Sequence, residues 1–206
     1  MKVLVIASHP DDEVLGAGGT IAKHVQNNDE VFILILTKGR VPSEHIVNAS
    51  EALGVTNLTT LNFKAQEFQS NEHLIADCIR THLEEVQPDI VYTHSINDLN
   101  LDHKIAHTAT LIATRANLQY SPNAVYAYEV MGSNMTPFTP FMGTHFVDVE
   151  PYMDTKIKAM ECYEKEMNKY PQPRSIGGIL IYAEGNGLKC GLKYAEAFET
   201  IFTLDV

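Results

Sequence analysis

Val3-Leu4-Val5-Ile6-Ala7-Ser8-His9-Pro10-Asp11-Asp12-Glu13, followed by Gly16-Ala17-Gly18-Gly19, is the stretch on which the reading of this chain turns. Val3 to Ala7 is an unbroken apolar run rich in β-branched residues, the pattern of a buried parallel strand. From Glu13 to Gln26 the period changes to that of a helix, with Val14, Leu15, Ala17, Gly18, Ile21, Ala22 and Val25 on one broad face. The His-Pro-Asp-Asp turn therefore sits where a first strand hands over to a first helix. In an open α/β sheet that is the carboxyl edge, where ligands bind.

Each feature of the turn has an ordinary structural account. Proline suits a first helical position, and acidic residues in a first turn complement the helix dipole. The glycines allow close packing of helix on strand. Their combination points further. His9 and Asp12 are ligands for a hard or borderline cation, and Asp11 lies between them. A catalytic zinc site takes three His or carboxylate ligands and leaves a position open for water. A further carboxylate beside that water can accept its proton. A third ligand must come from elsewhere. The segment Asp98-Leu99-Asn100-Leu101-Asp102-His103 follows a second buried-looking run, Ile90-Val91-Tyr92-Thr93, and so brings polar residues to the same edge.

His9-Pro10-Asp11-Asp12-Glu13 with its glycines, then Asn100-x-Asp102-His103, resembles the PIG-L/LmbE-like zinc deacetylases. These remove an acetyl group from N-acetylglucosamine-type substrates, and include the GlcNAc-phosphatidylinositol, mycothiol-pathway and bacillithiol-pathway deacetylases. The resemblance covers most of the chain in outline and is specific in the two motifs. It implies His9, Asp12 and His103 as zinc ligands and Asp11 as general base. Zinc is the metal it favours, although His, Asp and water also suit iron(II), cobalt or manganese. This chain departs from many members in carrying Asn100 where they have His. An amide can steady an oxyanion but cannot supply a proton, so Asn100, His94 and Asp98 are all candidates for the second donor. Asp102 can orient a ligand histidine, or serve only as a helix-start carboxylate. His107 reads as a packing residue or a donor behind the ligands.

The other elements follow in order. Val31 to Thr37 predicts a second buried strand, and Thr37-Lys38-Gly39-Arg40 an edge loop. There Arg40 or Lys38 faces an anionic or hydroxyl-rich part of a substrate, or the loop is only a polar turn. A helix is expected over 43–53 and a short strand over 58–61. The pattern then predicts a helix over 71–86, a strand over 90–93 and a helix over 101–118. A strand over 124–130 precedes an irregular stretch, 132–143, whose Met135, Phe138, Phe141 and Met142, with Met131 on its flank, suggest a lid or a subunit contact. A strand over 145–149 and a helix over 152–165 come next. Ser175 to Gly191 is glycine-rich but lacks the context of a phosphate-binding loop. Lys193 to Glu199 is similar to the segment that closes the domain in the family. Glu196 within it either touches substrate or buttresses the fold, and Ile201 to Leu204 is a short strand or an extended tail.

The chain has 206 residues, 45% hydrophobic and 20% charged, which suits one sizeable core and one α/β domain over 1–206. The expected fold is Rossmann-like, a mostly parallel sheet flanked by helices. A net charge of −11 argues against a nucleic-acid groove. No apolar run is long enough for an integral membrane segment, and the N-terminus runs straight into a strand, which suggests a cytoplasmic protein. Cys78, Cys162 and Cys190 are too widely spaced for a disulfide framework or a CxxC metal site. The expected activity is metal-dependent removal of an acetyl group from a small N-acetylated amino sugar or its conjugate, by a possible homo-oligomer. Substrate contacts are expected from Arg40, Asp98 and Glu196, and Asn100 and Asp102 are expected to assist Asp11. The alternatives are another amide or ester hydrolase on the same scaffold, or a metabolite-binding module. Against the module, the first turn lacks a Rossmann glycine fingerprint, and its three carboxylates would repel a pyrophosphate.

Overall fold

Alternate residues of β1 (Lys2–Ala7) enter different cores. Val3, Val5 and Ala7 face one apolar cluster, and Leu4 and Ile6 the other. β2 (Glu30–Ile35) divides in the same way, with Val31, Ile33 and Ile35 on the first side and Leu34 on the second. A strand buried on both faces has no polar alternation, which is why these runs read as continuous apolar stretches. The computed structural model describes residues 1–65, 67–116, 118–133 and 140–205.

Helices cover both faces of one sheet. On the first face lie α1 (Asp12–Gln26), α2 (Ser43–Ala52), α5 (Met153–Glu161) and α6 (Ile176–Cys190). On the second lie α3 (Phe68–Val86) and α4 (Leu101–Ala113). The remaining strands are β3 (Asn57–Thr60), β4 (Ile90–His94), β5 (Ala124–Tyr128), β6 (His145–Asp148) and β7 (Ala195–Thr203). The sheet order is β3-β2-β1-β4-β5-β7-β6. The first five strands are parallel, and β7 runs antiparallel to both β5 and β6. From β1 the chain builds outward through β2 and β3; from β4 it builds the other way. The carboxyl ends of β1 and β4 thus flank the topological switch point, the crevice where open α/β sheets bind ligands.

The single mostly parallel α/β domain agrees with the sequence reading. The differences lie toward the C-terminus. The glycine-rich segment, to which periodicity assigns no element, is α6. Two of its glycines are placed against backbone: a Cβ at Gly178 would run into the Pro173 carbonyl oxygen. One at Gly187 would run into that of Leu192. The expected short terminal strand is the nine-residue β7, inserted between β5 and β6. Met131 is buried in the core rather than displayed on a surface, while Met142 is exposed. Met135 and Phe138 of the suggested lid lie outside the described residues.

Glu196 on β7, for which the sequence left open a substrate contact or a buttress, bonds to α1 and α5. Its carboxylate accepts the backbone N–H groups of Gly19 (2.8 Å) and Thr20 (2.7 Å) in α1. Lys156 of α5 donates to it at 2.6 Å, and also to the Leu15 carbonyl at 2.9 Å. Both side chains of this pair are about 5% exposed. Both oxygens of Glu196 are engaged, and the side chain is buried. Removing one partner strands a buried charge, so Lys156→Met is expected to cost about 3–5 kcal/mol of folding stability by urea unfolding. The double change Lys156→Met with Glu196→Gln is expected to recover part of that loss. A Lys156→Met protein as stable as the parent would contradict the bracing role.

Candidate metal centre

The β1–α1 turn is held open by an unusual backbone. Asp11 has φ 103°, in the left-handed region that a non-glycine residue rarely adopts. Such a conformation costs about 1–3 kcal/mol and persists only where its surroundings enforce it. Here its carbonyl starts α1 by accepting the N–H groups of Val14 (3.1 Å) and Leu15 (2.9 Å). Its side chain makes no capping bond to α1. Instead, Arg174 Nη1 donates to Asp11 Oδ2 at 2.9 Å, and Arg174 Nε donates to the Met131 carbonyl at 3.2 Å.

Three ligand atoms converge beside it. His9 Nδ1, Asp12 Oδ2 and His103 Nε2 are mutually 3.2 Å apart. Ligands about 2.0–2.1 Å from a tetrahedral zinc ion are separated by about 3.4 Å, so the triangle matches one face of such a tetrahedron. It fits a divalent cation with a fourth position open. Among the described residues this is the one His, Cys, Asp and Glu cluster with metal-ligand spacing.

Each histidine is fixed through its other nitrogen. His9 Nε2 lies 3.0 Å from Asp102 Oδ2, and His103 Nδ1 lies 2.8 Å from Asp98 Oδ2. Such carboxylate partners set tautomer and ring orientation in metal sites. Asp98, expected as a substrate contact, bonds to His103 here. It is buried, and its second oxygen receives the N–H of Asn100 and the hydroxyl of Ser133. Asn100 caps α4, its side-chain oxygen accepting the Asp102 N–H at 2.9 Å. His94, an alternative candidate for the second donor, lies behind the ligands. Its Nε2 accepts the Ser8 N–H at 2.8 Å, and its ring stacks on His103 with centroids 4.1 Å apart. His107 Nδ1 lies 2.8 Å from the carbonyl oxygen of His94.

The charges divide sharply. Burial opposes ionisation of Asp12, but the charge and hydrogen bond of His103, with a hydrogen bond from His9, hold its carboxyl well below the usual range. Burial also disfavours charge on the two histidines. Asp102 and Asp12 nevertheless raise His9 to about 10, and Asp12 and Asp98 raise His103 to about 9. Asp11 goes the other way. Burial and the neighbouring Asp12 push its carboxyl well up, Arg174 opposes them, and Glu13 and Glu166 add to the rise. Glu13 is raised to about 7 by burial, against a 2.7 Å hydrogen bond from Tyr163. His94 is held low by burial and by His103, which keeps it neutral.

Sequence reasoning missed Arg174, Tyr163 and Ser133. Arg174 meets Asp11 across 163 positions of sequence, and nothing local marks it. Tyr163 lies at helical spacing in an apolar stripe and gives no sign of its bond to Glu13. Arg40 remains in the exposed loop after β2, apart from the three ligands.

Residues 4–114 match the PIG-L family, described as GlcNAc-PI de-N-acetylase. The uncharacterized deacetylase YaiS of Escherichia coli is 29% identical over 177 residues, covering 79% of this chain and 90% of that protein. The diacetylchitobiose deacetylase of Thermococcus kodakarensis is 25% identical, covering 97% of this chain and 83% of that protein. A 4-oxalmesaconate hydratase of Pseudomonas putida is 24% identical, with 78% and 72% covered. The conserved protein TT1542 of Thermus thermophilus superposes with a TM-score of 0.80 at 21% identity, covering 99% of this chain and 96% of that one. With more than half its length matched by the family and both motifs inside the match, the chain belongs to the PIG-L family.

Proposed function

We propose that the protein is a metal-dependent N-deacetylase acting on an N-acetylated amino sugar or a conjugate of one. The carrying observation is the 3.2 Å triangle of His9, Asp12 and His103 with the Asp11 carboxyl in the same turn. The deacetylases among its relatives support the reaction class. His9, Asp12 and His103 would hold the cation; the donor set suits zinc, iron(II), cobalt or manganese, and the family resemblance favours zinc. A divalent ion bound there supplies Lewis acidity, acidifying water toward a pKa of about 7 and polarising the acetamide carbonyl.

This chain's residues do the rest. Asp11 accepts the proton of the attacking water at its carboxylate. A carboxyl pushed upward by burial is a better base near neutrality than an ordinary one, and holds the proton long enough to return it. The leaving amine takes that proton as the C–N bond breaks, so one group serves as base and then acid. Arg174 positions Asp11 and limits the rise in its pKa. Asp102 and Asp98 keep the His9 and His103 rings aimed at one point. Asn100 has its carbonyl oxygen engaged in the helix cap, which leaves its amide N–H₂ as the group able to face an oxyanion. The hydratase relative supports a second reading, in which the same apparatus adds water at a carbon other than an amide carbonyl.

Acetate release from N-acetylglucosamine and its conjugates, beside metal content by elemental analysis, tests the proposal. Asp11→Asn is expected to keep the metal and lose a factor of about 10²–10⁴ in kcat. Near-stoichiometric metal with no acetate from any acetamide would move the weight to the hydratase reading. Arg174→Gln removes the cation that holds Asp11 down, so the acidic limb of the kcat/KM profile is expected to move to higher pH. An unmoved limb would dissociate Arg174 from the base. Zinc binding to chelator-stripped protein has its own pH signature. With His9 near 10 and His103 near 9, both rings are protonated at neutrality and must lose those protons to bind metal. Calorimetry in buffers of different ionisation enthalpy is expected to show release of roughly two protons at about pH 7.5. Affinity then rises with pH and levels off above the His9 value of about 10. Release of no protons would place the metal elsewhere.

A further inference from the structure

A cavity of about 660 Å³ opens at the carboxyl edge of β2 and β3. Two loops frame it, one carrying Lys38 and Arg40 and the other Phe63 and Lys64. The chain has 15 Lys and Arg against 26 Asp and Glu, yet among the described residues three cations and no acidic residue line this space. Among the described residues, Lys38 and Arg40 have no ion-pair partner. Lys64 meets only Glu67, at 3.4 Å, with both side chains more than half exposed. Pairs of that kind are worth little, so all three cations are effectively available to a ligand.

The cavity's two loops are tied to the turn that carries His9. Thr37 at its edge donates its N–H to the carbonyl of Ser8, the residue before His9, at 3.0 Å. Thr37 also bridges to Asn62, which ties the two loops together. The Phe63 ring meets Phe68 edge-on with centroids 6.2 Å apart, and Phe68 stacks on His9 at the same separation. Gly39, at φ 57°, turns the first loop sharply, and its N–H donates to Thr37 Oγ1 at 3.1 Å. The turn sets Lys38 and Arg40 on either side of a fixed corner.

We propose that this cavity is an oxyanion-binding subsite of the deacetylase centre, selecting N-acylated sugars that carry a phosphate ester or carboxylate over neutral ones. The inference rests on the proposed function for its reacting group and on the cavity for its charge. A protein with net charge −11 repels anions at long range, so an anionic substrate needs a local concentration of cations to be held. Arg40 offers the planar fork that pairs with either oxyanion, and the lysines add point charges.

The test compares N-acetylglucosamine, N-acetylglucosamine 6-phosphate and N-acetylmuramic acid as substrates of the zinc-loaded chain. It also measures binding of the corresponding free amines, glucosamine, glucosamine 6-phosphate and muramic acid, to chelator-stripped protein by calorimetry. At least one charged sugar is expected to exceed its neutral counterpart about tenfold in kcat/KM, carried by KM, and in affinity. The better arm identifies phosphate or carboxylate as the source of the charge. That ratio is expected to fall toward one in K38A/R40A and when ionic strength is raised. Equal binding of all three amines overturns the subsite, as does a charge preference that survives in K38A/R40A. Charge-selective binding lost in K38A/R40A, with no acetate released from any sugar, keeps the subsite and overturns the deacetylase reading instead.

Discussion

One carboxylate oxygen, Asp12 Oδ2, joins the two halves of the sheet edge. It accepts the backbone N–H of His9 at 2.8 Å and lies 3.2 Å from both His9 Nδ1 and His103 Nε2. The first two contacts close the turn after β1. The third reaches α4, which follows β4 on the other side of the switch point. A buried carboxylate is tolerable only when surrounded in this way. The same demand for charge compensation that shapes the turn also leaves a triangle suited to a cation.

Neighbouring carboxylates with opposite fates are the second consequence. Asp11 and Asp12 are adjacent in sequence, and the left-handed backbone at Asp11 sends their side chains to different partners. Asp12 meets two imidazoles and stays ionised; Asp11 meets burial, its own neighbour's charge and a single guanidinium. Pairs of titratable groups pushed apart by their surroundings mark acid–base sites. Here the separation comes from one strained dihedral angle rather than from distance along the chain.

The portion of this arrangement that can be read from sequence is the local portion. The apolar run to Ala7 and the charged turn after it are contiguous, so strand, edge and ligand chemistry are legible together. Asn100-x-Asp102-His103 is similarly compact, and its preceding run announces β4. Residues whose meaning depends on long-range packing are not legible. Asp98 and Glu196 look like ordinary acidic residues near an active edge, and only the fold reveals one behind His103 and the other under α1. Arg174 stands among polar residues before a glycine-rich helix, with no pattern connecting it to Asp11. Glycines hid α6 itself, because their low helix propensity is overridden by the close backbone contacts they permit.

Insertion of β7 between β5 and β6 has a bearing on how the protein is made. Glu196 of this strand satisfies two amides of α1 and the Lys156 ammonium, and Glu199 accepts the Ser95 hydroxyl in the loop after β4 at 2.6 Å. Both clamps belong to the last strand of the sheet to be synthesised. A nascent chain that has reached the end of α4 already contains His9, Asp12 and His103, but neither clamp. During translation the three ligands therefore emerge well before the framework that fixes them. Both clamps can form only once the β7 segment has been made and lies between β5 and β6.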